Sequence, residues 1–286
     1  MRIVRLESFT RDFVAIVRIT LEDGSTGIGQ ISPYHADIST EVFHRLVAPV
    51  ALGQDGTDIS GVVEDVFTSQ HKFPGTFVCR AVAGLDTALW DAAGLREGAP
   101  VWRMLGATRQ RVAVYGSSMS RTITPEDEAE RMQRLRQAHG FAAFKFRVGK
   151  KAGRNGDAWP GRTPEIIRTL GTRFAADRVS LLADGNSCYD VATGLDVGGG
   201  MVDAGIGQFE EPCPYWDYDA TREVAATLPI TISGGEQDNY LPAWEYMVAT
   251  DVVNVCQPDV CYLGGVGRAL QVAQIAERRG KPIMFH

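Results

Sequence analysis

The sequence predicts an α/β protein, a parallel (β/α) barrel of the TIM type preceded by a smaller α+β unit. Two observations carry that expectation. Asp184, Glu210 and Glu236 each close a short apolar run, at 179–184, 206–210 and 229–236, and they follow one another at intervals of 26 residues. One strand, one helix and two short loops take ~25 to 30 residues in such a barrel. The three acids therefore fall at the same height on three neighbouring strands, at the carboxyl-terminal mouth. The second observation is a change of pattern: strands precede helices without alternation up to Arg109, and from Arg111 onward strand-like and helix-like runs alternate.

In chain order, residues 3–10, 13–21 and 26–31 read as an antiparallel meander, with Glu22-Asp23-Gly24-Ser25 as turn chemistry. Helical patterns follow at about 37–50, 59–70 and 76–97, and in the last Phe77, Ala81, Leu85, Ala88, Leu89 and Ala92 share one face. Residues 1–110 form a cap, too small to hold the acids itself. Residues 111–286 are expected to form the barrel domain that carries the three acids. Its first strand is expected at 112–117, and Thr124-Pro125-Glu126-Asp127-Glu128 then opens a helix with a hydroxyl N-cap, Pro at N1 and acids in the first turn. The second strand spans 142–148, the three acid-bearing strands follow, the sixth is 252–257, a helix covers 265–279, and 281–286 is the seventh. The interval from Lys145 to Asp184 exceeds the period by 13 residues, and the excess falls in the polar, Gly-rich segment 149–161, expected as a loop at the mouth. Gly198-Gly199-Gly200 lies inside an expected helix and has no explanation in the sequence.

Three converging carboxylates repel and desolvate one another unless a cation neutralises them. A hard divalent ion suits an all-oxygen set, and Mg²⁺ in particular accepts a few carboxylates while keeping positions for water and substrate. The bland alternative, that each acid caps the next helix, is reasonable for one acid and poor for three in period. On the second strand, Phe144-Lys145-Phe146-Arg147 sets two cations on one face, pointing toward the acids. Asp259 and His286 close neighbouring strands, where a carboxylate can orient an imidazole and raise its basicity. Each has a plain structural alternative: a snorkelling lysine, an anion-clamping arginine, a helix-capping aspartate, a core histidine.

These residues give the chain a resemblance to the enolase superfamily and, within it, the mandelate racemase subgroup. The motifs are Lys145 and Arg147 at the K-x-K position, Asp184 and Asn186 in Ala183-Asp184-Gly185-Asn186, Glu210 in Phe209-Glu210-Glu211-Pro212, Glu236 in Gly235-Glu236, then Asp259 and His286. The resemblance implies a (β/α)₇β barrel with an α+β cap. It also implies Mg²⁺ on Asp184, Glu210 and Glu236 but not Glu211, substrate contact at Asn186, and an enediolate formed by removing the proton next to a carboxylate. Lys or His bases with Mg²⁺ are the general description of such sites. Arg147 departs from the usual lysine, and an arginine is a poor proton acceptor at neutral pH. The pattern also stops after the seventh strand, so a barrel truncated there, with open edges and homo-oligomeric association to cover them, is the expectation.

The functional expectation is a Mg²⁺-dependent acid-sugar dehydratase, since one base, His286 supported by Asp259, suffices for loss of water. A racemase or epimerase using Lys145 on the second face, a sugar-acid-binding remnant without turnover, and a Schiff-base aldolase through Lys145 are the alternatives. The chain has 44% hydrophobic and 22% charged residues and a net charge of −6 without a basic patch, which argues against nucleic acid and anionic membranes as partners. No run approaches the ~20 apolar residues of a membrane span or the core of a signal peptide, so a cytoplasmic location is expected. Five cysteines without CxxC spacing read as reduced thiols, and five histidines without HExxH give no sign of zinc.

Overall fold

The computed structural model describes residues 1–286. Strands β1 (Ile3–Arg11), β2 (Val14–Leu21) and β3 (Thr26–Ile31) form an antiparallel sheet with β2 in the centre. Alternation on β2 buries Ala15, Val17, Ile19 and Leu21 on one face. The next segment is helical as expected but broken: α1 (Ala36–Val42), a π-turn at Phe43–Val47, and α2 (Ala48–Ala51). Helices α3 (Ile59–Ser69), α4 (Thr76–Glu97) and the short α5 (Val101–Met104) complete the cap.

Helix α4 lies directly on β3. A Cβ at Gly27 would stand 2.1 Å from Ala88 O, and one at Gly29 would stand 2.3 Å from Gly84 O, so only glycine permits this approach. The free amides of β3 are then taken by the helix: Ile28 N donates to Asp91 Oδ2 at 2.8 Å and Gln30 N to Thr87 Oγ1 at 3.2 Å. An edge strand is thereby covered. Helix α4 is apolar on more than the one face expected of it, because its other side meets the barrel, where Asp86 Oδ1 accepts from Val266 N at 2.6 Å.

The barrel sheet is parallel and runs in sequence order: β4 (Gly116–Ser117), β5 (Ala143–Arg147), β6 (Ser180–Asp184), β7 (Gln208–Glu210), β8 (Thr231–Gly234) and β9 (Val255–Cys256). Between strands stand α6 (Pro125–His139), α7 (Arg162–Phe174), α8 (Val191–Asp203), α9 (Tyr218–Thr227) and α10 (Leu241–Ala249), with α11 (Val260–Leu263) and α12 (Val266–Arg278) after β9. Thr124 caps α6 by accepting from Asp127 N, as its sequence signature predicts.

Three expected strands are corrected, and of these the sixth, expected at 252–257, is only Val255–Cys256. The first is two residues long: Gly116 pairs with Phe144 and Ser117 with Lys145, while 112–115 precede that pairing at the start of β5 and leave Val112 and Val114 exposed. The seventh is a single bridge, Cys256 to Ile283, since Pro282 has no N–H to extend a ladder. The backbone there is nonetheless fixed, with Met284 N donating to Cys256 O at 2.9 Å and His286 N to Pro258 O at 3.1 Å. Within α8, a Cβ on Gly198 would meet Leu228 Cδ1 at 2.2 Å, so this glycine permits close helix packing; nothing in the structure explains Gly199 and Gly200. Segment 149–161 is a loop, bound to the segment after β6 through Gly153 N to Ser187 O at 2.7 Å and Arg154 N to Cys188 O at 3.0 Å.

Candidate active site

The register of the parallel sheet builds the site. Arg147 is paired with Asp184, and Asp184 with Glu210, so the ends of β5, β6 and β7 present their side chains at one level. Asp184 and Glu210 are 0% and 2% exposed, and Glu236, two residues beyond β8, is 7% exposed. Such burial of three acids requires compensation. Lys145 Nζ supplies part of it, at 2.7 Å from Glu210 Oε1 and 3.3 Å from Asp184 Oδ2. Arg147 binds the same Asp184 oxygen and also donates to Ser118 O at 3.1 Å. Gln257 Nε2 donates to Glu210 Oε2 at 2.9 Å.

The opposite side of the mouth carries the histidine. His286 Nε2 lies 2.6 Å from Glu236 Oε2, and Nδ1 lies 3.1 Å from Asp259 Oδ2. Asp259 is doubly used, because its other oxygen caps α11 by accepting from Tyr262 N at 2.8 Å. The Asp259 hydrogen bond and then the Glu236 contact push the imidazole up to about 10. Burial works against the charge of Lys145, but Asp184 and Glu210 outweigh it and raise its hold on the proton further. Glu210, buried and facing Asp184, is pushed up to about 7.

Every residue singled out in the sequence reaches this mouth, with one difference in grouping. The donor atoms of Glu210, Glu236 and His286 lie within 4.8 Å of one another, whereas Asp184 is held by Lys145, Arg147 and the amide of Asn186. The set of buried oxygens, and a Glu210 left short of positive charge, fit a hard divalent cation. Asn186 has φ 47° and accepts from Arg121 Nη2 at 2.8 Å.

Sequence reasoning assigned no role to Glu211, Arg121 or Gln257. Glu211 has φ 40° and is buried with Oε1 unpartnered; burial, then Glu236 and Asp184, raise its carboxyl well above the ordinary range. The acidic doublet was visible, but Glu211 lies just past β7 with a left-handed backbone, which no strand pattern in the sequence shows. Arg121 sits in an aperiodic loop, where no pattern marks it.

The family models agree with this architecture. Residues 4–106 match the mandelate racemase / muconate lactonizing enzyme N-terminal domain, and residues 127–286 match the enolase C-terminal domain-like model. The chain belongs to the mandelate racemase/muconate lactonizing enzyme family of the enolase superfamily. Among solved members, a candidate racemase from Roseobacter denitrificans is 49% identical with a TM-score of 0.97, over 100% of this chain and 78% of that one. A mandelate racemase/muconate lactonizing protein from Paracoccus denitrificans, complexed with magnesium, is 28% identical with a TM-score of 0.91 over the same shares. Among curated members, L-talarate/galactarate dehydratase from Salmonella typhimurium is 25% identical over 99% of this chain and 69% of its own length. Arabinonate dehydratase from Saccharolobus solfataricus is 24% identical over 96% and 72%. No helix is long and apolar enough to cross a membrane.

Proposed function

We propose that this family member is a Mg²⁺-dependent hydro-lyase that dehydrates an acid sugar, an aldonate or aldarate, to a 2-keto-3-deoxy acid. The observation that carries the reading is the contrast in proton-transfer capacity around the mouth. Lys145 and Arg147 are locked as cations by Asp184 and Glu210, while His286 is an imidazole oriented by Asp259. One competent base suits dehydration better than inversion, which needs a base on each face.

Asp184, Glu210 and Glu236 are the residues that would hold Mg²⁺. When bound there, the ion would supply positive charge at the substrate carboxylate, and Glu236 would be engaged by it, so that Asp259 would remain the one acid on the imidazole. Neutral His286 removes the proton next to the carboxylate, and the C–H electrons pass into the enediolate. Lys145 and Arg147 keep positive charge beside it. The enediolate then expels the β-hydroxyl, which leaves as water with the proton returned by His286, and the enol tautomerises to the 2-keto acid. Asn186 binds substrate at the rim. Acid and base roles of this kind contribute typically ~10² to 10⁴ in rate.

The racemase reading is supported by the Roseobacter relative and by Lys145 as a second nitrogen at the mouth. The deciding experiment is a screen of acid sugars with Mg²⁺, reading both 2-keto acid and α-epimer. Formation of 2-keto acid, abolished by EDTA, is expected. Epimer formation with solvent deuterium entering both epimers replaces dehydratase by racemase, and activity indifferent to EDTA sinks both.

A further inference from the structure

The chemistry just described uses Lys145, Arg147 and His286, and each of these cations has a carboxylate partner. One more cation stands at the rim. Arg121 is half-buried, its single hydrogen bond goes to the neutral amide oxygen of Asn186, and its Nε is buried without a partner. Burial, then the neighbouring Arg147, disfavour its charge. A desolvated guanidinium with no counter-ion is costly and is normally paired.

The loop that carries Arg121 is held on both sides. Before it, Ser118 N donates to Lys145 O at 2.9 Å, and Ser118 O accepts from Arg147 Nε. After it, Ile123 O accepts from Arg162 Nε at 3.2 Å, while Arg162 Nη1 donates to Arg147 O at 2.9 Å. Arg162 is 0% exposed, so this brace is internal. On the far side Asn186 is fixed in the left-handed region, its N–H donating to Asp184 Oδ1 at 2.8 Å. The guanidinium is thus preorganised next to a residue two positions past Asp184, with Nη2 engaged, Nε buried, and Nη1 and a full charge left for a ligand. A fork of this kind matches a carboxylate.

We propose that Arg121 receives the second carboxylate of a dicarboxylic acid sugar, which makes the substrate an aldarate and not an aldonate. The assignment rests on the dehydratase reading for its chemistry, but the site itself is testable by binding. Titration calorimetry with Mg²⁺ present, on pairs of hexarates and hexonates that differ only at C6, gives the affinity ratio within each pair. In at least one pair the hexarate binds tighter by on the order of 10- to 100-fold, the range of a charge-assisted hydrogen-bonded contact. Arg121→Met brings that ratio to about one, Arg121→Lys keeps part of it, and Arg121→Gln, which still donates to Asn186 but is uncharged, loses it.

A ratio near one in the unmodified protein for every pair overturns the proposal. So does a preference that survives Arg121→Met or Arg121→Gln. If both variants weaken hexarate and hexonate equally, Arg121 only props Asn186, and the proposal fails in that case too. A hexarate preference that Arg121→Gln abolishes, found together with no dehydration of either acid, supports the carboxylate site while removing the dehydratase reading. Circular dichroism of each variant identifies a fold defect, and in that event Arg121→Lys against the unmodified protein carries the comparison.

Discussion

The two sides of the mouth are built from the same element, the carboxyl end of a parallel strand, and they reach opposite electrostatic solutions. On the β5–β7 side, Lys145 and Arg147 face Asp184 and Glu210, two cations against two acids, all nearly inaccessible. On the other side, Glu236 and Asp259 face a single imidazole whose side chain is 27% exposed. The first group is a buried ion-pair network whose two cations keep their protons, with Glu210 still short of positive charge. The second has an adjustable member that solvent and substrate can reach. The difference teaches that proximity to acids does not make a base: all three groups hold their protons at neutral pH in this arrangement, and only the imidazole of His286, once a cation engages Glu236, has an intrinsic proton affinity near neutrality.

Breaking the acid framework common to both sides has the largest expected effect. Asp184→Asn, Glu210→Gln and Glu236→Gln each weaken Mg²⁺ binding by more than about 100-fold, above the loss typical of residues that merely support ligands, and turnover falls below detection. Calorimetry with Mg²⁺ and a 2-keto acid assay measure both. Full activity in any one variant removes that residue from the metal site.

Next in size is the adjustable side alone. His286→Asn lowers turnover by ~10² to 10⁴ and stops exchange of the substrate α-proton in D₂O, followed by NMR. Continued exchange at the original rate assigns the base elsewhere.

Asp259→Asn sharpens the comparison with a smaller loss, about 10- to 100-fold in turnover, the usual cost of removing the partner that orients a functional histidine. Asn caps a helix as well as Asp, so α11 stays intact and thermal unfolding shifts little. A large fall in melting temperature would show that the capping role dominates.

The smallest expected change is on the buried side. Arg147→Lys retains the charge but loses the planar fork to Asp184 and Ser118 O. Activity drops by roughly tenfold or less, the scale of one lost hydrogen bond of ordinary strength, since the charge itself is retained, with 2-keto acid still the product. Appearance of the α-epimer would mean that this side lacked only a titratable group.

Much of the site was legible because a (β/α) barrel converts sequence period into spatial level. The 26-residue spacing of Asp184, Glu210 and Glu236 fixes their strands, and alternation fixes Lys145 and Arg147 on one face. The cap meander was equally legible, since a sheet buried on one face writes its orientation as alternating burial, seen on β2. The lengths of the outermost barrel strands were not. Val112 and Val114 have strand propensity, but pairing begins only where β5 offers a partner, and that is a property of two segments together.

What the sequence determined alone was therefore whatever depends on local period and residue type: the order of elements, the level of the acids, and the chemistry they permit. Only the tertiary structure decided who is paired with whom. Asp184 went to Lys145 and Arg147, Glu236 to His286, and Arg121 to Asn186. Ion pairs form by distance and burial between side chains dozens of residues apart, and their partners follow from register and loop geometry, neither of which has a period in the chain.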